Sequence, residues 1–168
     1  MGVDVNVDVE FRRKVLDVHM SEKLMYCYQC NHCTYECPVS DVVGADTYNP
    51  RKLILYSFLG MKGNIVGKKE NAALWACTTC DTCDEVCPNK IQLTHIFYVL
   101  RNMSVKAGEA PAAYINQAKA IWDNGKTIPK QPAIQRRREQ MGLKELPDPD
   151  LKELQTILKE AKVDEVLK

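Results

Sequence analysis

The sequence predicts a mainly α-helical protein, and three observations carry that reading. Apolar residues recur at intervals of three and four over most of the chain. The segments marked in this way begin at asparagine–proline or proline signals and end at glycines. Only Val3, Val5, Val7 and Val9, alternating with Asp4, Asn6 and Asp8, show the period of two that suits a strand. With 168 residues, 45% of them apolar, the chain is long enough for one domain with a core and short for two independent ones.

Taken in order, residues 1–10 are acidic and lack the apolar run of an export signal. Asn6 stands where a myristoylation motif after Gly2 wants serine or threonine. The valine stretch reads as a short half-buried strand, either a frayed tail or a strand added to a partner's sheet. Phe11, Val15 and Val18 then switch to helical spacing. Asn49 and Pro50 start a helix whose apolar run over 53–59 stops near Gly60 and Gly63, and a second short helix is expected over 70–75. Leu93, Ile96, Phe97, Leu100 and Ala107 form a helical stripe closed by Gly108. Pro111 opens another helix, with Ile115, Ala118, Ile121 and Trp122 on one face and Gly125 at its end.

From 127 to 149 the texture changes to Pro129, Pro132, Pro147, Pro149 and a basic run at 136–138, which reads as an arm without a core element. Asp148 and Pro149 are expected to cap a final amphipathic helix carrying Leu151, Leu154, Leu158 and Ala161. The expected organisation is an extension and lead-in helix at 1–20, a helical core domain at 21–125, and a partner-binding arm with its helix at 126–168. Basic and acidic residues number 23 and 22, so no global field marks nucleic acid or an anionic membrane as partner. The longest apolar stretch, 53–61, is interrupted by Ser57 and Gly60 and falls far short of the roughly 20 residues of a membrane helix. A soluble cytoplasmic protein is expected, and eight cysteines in a reducing compartment point to metal rather than disulfides.

Those cysteines form two copies of one pattern, CxxCxxCxxxCP, fifty residues apart: Cys27, Cys30, Cys33, Cys37, Pro38 and Cys77, Cys80, Cys83, Cys87, Pro88. Three thiolates two residues apart can wrap one face of a 4Fe-4S cubane, with loop N–H groups aimed at its sulfurs. The fourth cysteine starts the segment leading away, and in two-cluster proteins it ligates the other cluster. The expected sets are therefore Cys27, Cys30, Cys33 and Cys87 for one cluster, and Cys77, Cys80, Cys83 and Cys37 for the other. The prolines have fixed φ and no N–H, which suits a chain turning away from the cluster. Structural zinc, the alternative, normally uses two separated CxxC knuckles around one tetrahedral ion.

His32, inside the first loop, either tunes the cluster or faces solvent; His19 and His95 read as ordinary helix residues. Tyr26, Tyr28, Tyr35 and Trp75 flank the cysteines and are expected to pack and shield rather than relay electrons. Arg136 to Arg138 form a solvated face or a dock for an acidic partner. No GxGxxG, phosphate loop or spare nucleophilic cysteine is present, so no catalytic residue is expected in this chain.

The helical insert between the motifs resembles that of the alpha-helical ferredoxins. The stretches CYQCNHCTYECPV, NPRKLI and WACTTCDTCDEVCPNKI closely resemble the C subunits of the soluble heterodisulfide reductases of methanogenic archaea. The resemblance is strong over 26–91 and weak in the arm and tail. It implies an electron carrier with two 4Fe-4S clusters between a flavin-containing A subunit and a B subunit that reduces the mixed disulfide of coenzyme M and coenzyme B. The paired CCG motifs that hold a catalytic cluster in the B subunit are absent here. Iron–sulfur subunits of succinate or glycerol-3-phosphate dehydrogenase type are the alternatives. The former normally carry a leading 2Fe-2S domain and the latter trailing CCG motifs, neither of which occurs in this chain.

Overall fold

The structure is a computed structural model that describes residues 3–18, 22–66 and 72–167. Expectations for Gly2, His19 and Glu70 lie outside these residues. Among the described residues the regular structure is entirely helical, with no strand. The chain divides into two compact units, Met1–Glu109 and Ala110–Lys168.

In the first unit, residues 3–8 are extended, but the half-buried strand expected of them does not form. Val3, Val5 and Val7 are 54%, 77% and 55% exposed. A strand needs a ladder to occupy its backbone groups, and here other partners take that role. Asp8 N–H donates to the Gly60 carbonyl at 2.8 Å, and Asp4 N–H donates to the Asn64 side chain at 2.9 Å. Gly60 has φ +76°, and a Cβ there would stand 2.8 Å from the Asp8 carbonyl oxygen, so both the helix stop and this crossing require glycine.

Helix α1, Val9–Leu16, is capped by the Asp8 carboxylate, which accepts from Phe11 N–H at 2.8 Å, and it buries Phe11 and Val15. Val18 lies beyond its end. A 3-10 turn over Glu22–Tyr26 leads into the first cysteines. Four-residue helix α2, His32–Tyr35, and α3, Pro38–Val43, follow within and just after them. Pro38 therefore opens a helix rather than a simple exit, since its fixed φ and missing N–H suit the first helical position. Helix α4, Pro50–Leu59, has Asn49 as N-cap and Gly60 as C-cap, as its sequence signals require. Helix α5, Ala72–Trp75, delivers the chain to the second cysteines, α6, Thr82–Glu85, repeats α2, and α7, Leu93–Lys106, is the longest helix of the unit. Leu24, Tyr48, Ile54, Leu74, Ile91, Ile96, Phe97 and Leu100 are fully buried among these helices, and three cysteines, Cys37, Cys83 and Cys87, belong to the same core.

The second unit holds α8, Ala112–Asn124, α9, Pro132–Gln140, α10, Leu151–Glu160, and α11, Val163–Val166. None of these helices contains a fully buried residue. Two expectations are corrected here. The proline-rich arm contains helix α9, because Pro132 presets the first turn and Ala133, Gln135, three arginines and Glu139 are good helix formers that need no core. The cap of α10 is Asp150, whose carboxylate accepts from Lys152 and Glu153 N–H, not Asp148 with Pro149. Asp148 instead pairs with Lys130 at 2.9 Å and Lys126 at 3.3 Å, joining the two ends of the arm. Helix α8, which the sequence attaches to the cluster domain, packs on α10, with Gln155 Nε2 donating to the Trp122 carbonyl at 3.1 Å.

Candidate metal centres

The two cysteine loops share one backbone. The residues flanking the middle cysteine are left-handed in both: Gln29 and Asn31 at φ 56° and 71°, and Thr79 and Asp81 at φ 54° and 61°. Four non-glycine residues in this region are costly, more so for β-branched Thr79, and such strain persists where surrounding structure imposes it. Alternation of left- and right-handed residues turns successive N–H groups to one side, the nest geometry that receives anions and iron–sulfur sulfurs. The middle cysteines, Cys30 and Cys80, are exposed, while Cys33 and Cys83 are carried inward on α2 and α6.

Each loop is tied to the start of a later helix by the residue after its third cysteine. Thr34 Oγ1 accepts from Arg51 N–H at 3.3 Å, and Asp84 Oδ1 accepts from Thr94 N–H at 3.0 Å. Arg51 and Thr94 are the second residues of α4 and α7, so the two halves are built alike around an orphan first-turn donor. Thr34 also donates to the Asn49 cap at 2.9 Å.

The fourth cysteines cross over. One hollow is lined by Cys27, Cys30, Cys33 and Cys87, together with Gln29, Arg51 and Ile91. Another is lined by Cys37, Cys77, Cys80 and Cys83, together with Tyr48, Thr82 and Thr94. Each draws three thiols from one motif and one from the other. Asn89, two residues after Cys87, donates its side-chain N–H to the carbonyl of Tyr26, just before Cys27, and pins the second motif's exit over the first loop. Four thiols around one hollow suit a thiophilic group.

Burial pushes the Cys33 thiol up to about 11 and the Cys83 thiol further up, since a thiolate there loses its solvation. Cys80, exposed, is held below its ordinary value by the hydroxyl and backbone N–H of Thr82. Backbone amides also face sulfur, with Thr79 N–H and Ile91 N–H each 3.4 Å from Cys77 and Cys87 Sγ.

Of the four aromatics flanking the cysteines, three differ from expectation. Tyr26, Tyr28 and Tyr35 do not shield: they are 65%, 74% and 84% exposed, because a tight loop that turns its sulfurs inward turns the intervening side chains out. Trp75 is half-buried and packs, its indole N–H donating to Ser104 at 3.2 Å and its ring lying under Arg101. His32 is exposed at the start of α2. The sequence did not single out Tyr48, which is 1% exposed and lies against the second thiol set. Burial, and then the Cys77 thiol beside it, push its phenol well above the usual range. Arg101 Nη2, directed at the carbonyls of Leu74, Trp75 and Cys77, was also missed.

A chain whose described residues form only helices around this doubled thiol geometry is an iron–sulfur protein, and residues 22–91 match the family described as 4Fe-4S dicluster domain. It is 33% identical to the C subunit of the H(2):CoB-CoM heterodisulfide,ferredoxin reductase of Methanothermobacter thermautotrophicus, over 96% of this chain and 87% of that one. It is 30% identical to the second C-type iron–sulfur subunit of the CoB–CoM heterodisulfide reductase of Methanocaldococcus jannaschii, over 97% and 87%. It is also 30% identical to the C subunit of the ferredoxin:CoB-CoM heterodisulfide reductase of Methanosarcina mazei, over 85% and 88%. The chain belongs to the family of heterodisulfide reductase C subunits, the iron–sulfur subunits of an oxidoreductase complex. Among the described residues no helix is long and apolar enough to cross a membrane.

Proposed function

We propose that this chain is the internal electron relay of a cytoplasmic heterodisulfide reductase. In this reading it stands between a flavin-containing A-type subunit and a B-type subunit that reduces the coenzyme M–coenzyme B disulfide. Cys27, Cys30, Cys33 and Cys87 would hold one 4Fe-4S cluster, and Cys37, Cys77, Cys80 and Cys83 the other. The observation that carries the reading is the pair of hollows, each lined by four thiols with the fourth supplied by the opposite motif. When bound, such clusters accept and release single electrons. The protein's own part is to supply deprotonated thiolates, aim N–H groups at sulfur through the left-handed loop residues, and exclude water on the side of Ile54, Ile91 and Tyr48. Each set of four thiols would be used in full, leaving no residue to hold a cleaved disulfide. Residues 126–168 are proposed as the arm that docks on a partner subunit.

The test compares this chain, the B-type subunit and the two together, with reduced viologen and the coenzyme M–coenzyme B disulfide. The expected result is turnover with the pair and none with this chain alone. Turnover by this chain alone, or no electron transfer from it to the B-type subunit, would overturn the reading.

A further inference from the structure

The two thiol sets share a backbone and differ in the charges around them. We infer that the set Cys27, Cys30, Cys33 and Cys87 forms the more readily reduced centre, because fewer acidic residues surround it and because Gln29, positioned by Arg51, donates to one of its sulfurs. The inference rests on the ligand sets proposed above.

Gln29 Nε2 lies 3.2 Å from Cys27 Sγ. Arg51 Nη1 donates to Gln29 Oε1 at 3.3 Å, and Arg51 Nε donates to Asn31 Oδ1 at 3.0 Å. A guanidinium has only donors, so the amide oxygen of Gln29 must face it, which leaves the amide N–H for the sulfur. Arg51 thus bridges both left-handed residues of the loop and fixes the direction of the donor. Reduction adds one negative charge, and a donor on a ligand sulfur with a cation behind it favours the reduced form.

Fifty residues on, the arrangement is not repeated. Thr79, in place of Gln29, turns its hydroxyl to the Thr78 carbonyl at 2.7 Å. Asp81 replaces Asn31, and Arg101 directs its guanidinium at backbone carbonyls, that of Cys77 included, and at the Trp75 ring, so a cation accompanies each set. Between first and fourth cysteines the first motif carries Glu36 alone, whereas the second carries Asp81, Asp84 and Glu85, with Asp84 Oδ1 3.5 Å from Cys83 Sγ. The second set has neutral donors of its own: Thr82 at 3.4 Å from Cys80, Thr94 at 3.7 Å from Cys83, and Tyr48 beside Cys77. Neutral donors are present at both sets, whereas the charges differ between them and act over a longer range than a hydrogen bond. The acidic residues therefore decide the order, and they favour the first set.

The test is a redox titration of the anaerobically purified full chain followed by electron paramagnetic resonance, with iron and sulfide counted in every sample. Cys87→Ser identifies the signal of the first set. That signal should be the one of higher midpoint, and Gln29→Leu and Arg51→Met should each lower it while leaving the other in place. At the wild-type midpoint the ratio of reduced to oxidised should fall about tenfold, which for a one-electron couple is about 59 mV. If Gln29→Leu loads poorly, Gln29→Glu keeps the bond to Arg51 but turns a carboxylate toward the sulfur, and it must move the same signal down. A lower midpoint for the first set in the wild type, or fully loaded variants that leave it unmoved, would overturn the inference. A wild-type chain without about eight iron and eight sulfide would overturn the ligand sets instead.

Discussion

The first cysteine loop is braced through side chains and the second through its backbone, although the two share one spacing and one sequence of left-handed residues. In the first loop a single arginine holds Gln29 and Asn31 by their amides. In the second, Arg101 is directed at the carbonyls of Leu74, Trp75 and Cys77 and stacks on Trp75, with Tyr48 and Thr94 buried behind the thiols. The lesson is that a repeated ligand pattern fixes how many thiolates are presented, while the unrepeated surroundings set how firmly each loop is held and how each centre responds to charge.

The largest contrast is expected within the second loop of the metal-free chain. Iodoacetamide at pH 8 should label exposed Cys80, whose ionisation is eased by Thr82, long before buried Cys83, whose ionisation is opposed by burial. Cys33, with its thiol pushed up to about 11, is ionised to only about one part in a thousand at pH 8, so its labelling should accelerate as pH rises toward 11. Peptide mass mapping against time would show the order, and equal rates for Cys80 and Cys83 would break the contrast.

Next in size is the bracing itself. Arg101→Met removes donors to three carbonyls and a cation–π contact at 5.2 Å, and should destabilise the loaded protein by about 2 to 3 kcal/mol. Arg51→Met, which loses only side-chain partners, should cost about 1 kcal/mol. Anaerobic thermal unfolding midpoints and rates of bleaching by a chelator would rank the two, and the reverse order would refute the description of the loops.

Asn49→Ala should cost about 1 kcal/mol, since it removes the acceptor for Lys52 N–H at 3.0 Å and for the Thr34 hydroxyl at 2.9 Å. Asn49→Asp should recover most of that. The smallest effect is expected from Tyr48→Phe, which keeps the packing, removes one neutral donor beside Cys77, and should lower the midpoint of the second set severalfold less than charge changes would. A shift in the first set's signal instead would place Tyr48 wrongly.

Much of this was legible in the sequence because it is local. The cysteine spacing, the Asn49–Pro50 start, the Gly60, Gly108 and Gly125 stops and the stripe from Leu93 to Leu100 each depend on residues within a few positions of one another. The failures came where a local pattern had no tertiary partner, or where a partner lay far away. The Val3 to Val9 alternation met no second strand. Helix α9 holds no buried residue and lacks the apolar period that would announce it. Tyr48, Arg51 and Arg101 reach the sites across 29, 22 and 24 residues of chain, to Cys77, Gln29 and Cys77 respectively, and no spacing rule marks such pairs. The matching roles of Thr34 and Asp84 were hidden because the two residues share a position and a hydrogen-bond acceptor but not a residue type.

The crossing of the fourth cysteines is tested most directly by counting iron in paired double variants. Cys37→Ala alone should leave about four iron atoms per chain. Adding Cys80→Ala should remove no more, since both residues would serve one cluster, whereas adding Cys30→Ala to Cys37→Ala should leave almost none. The mirror pairs, Cys87→Ala with Cys30→Ala or with Cys80→Ala, should behave in the same way. Retention of about four iron atoms by the Cys37–Cys30 pair, with loss of nearly all from the Cys37–Cys80 pair, would show that each motif keeps its own fourth ligand and would contradict the crossed arrangement.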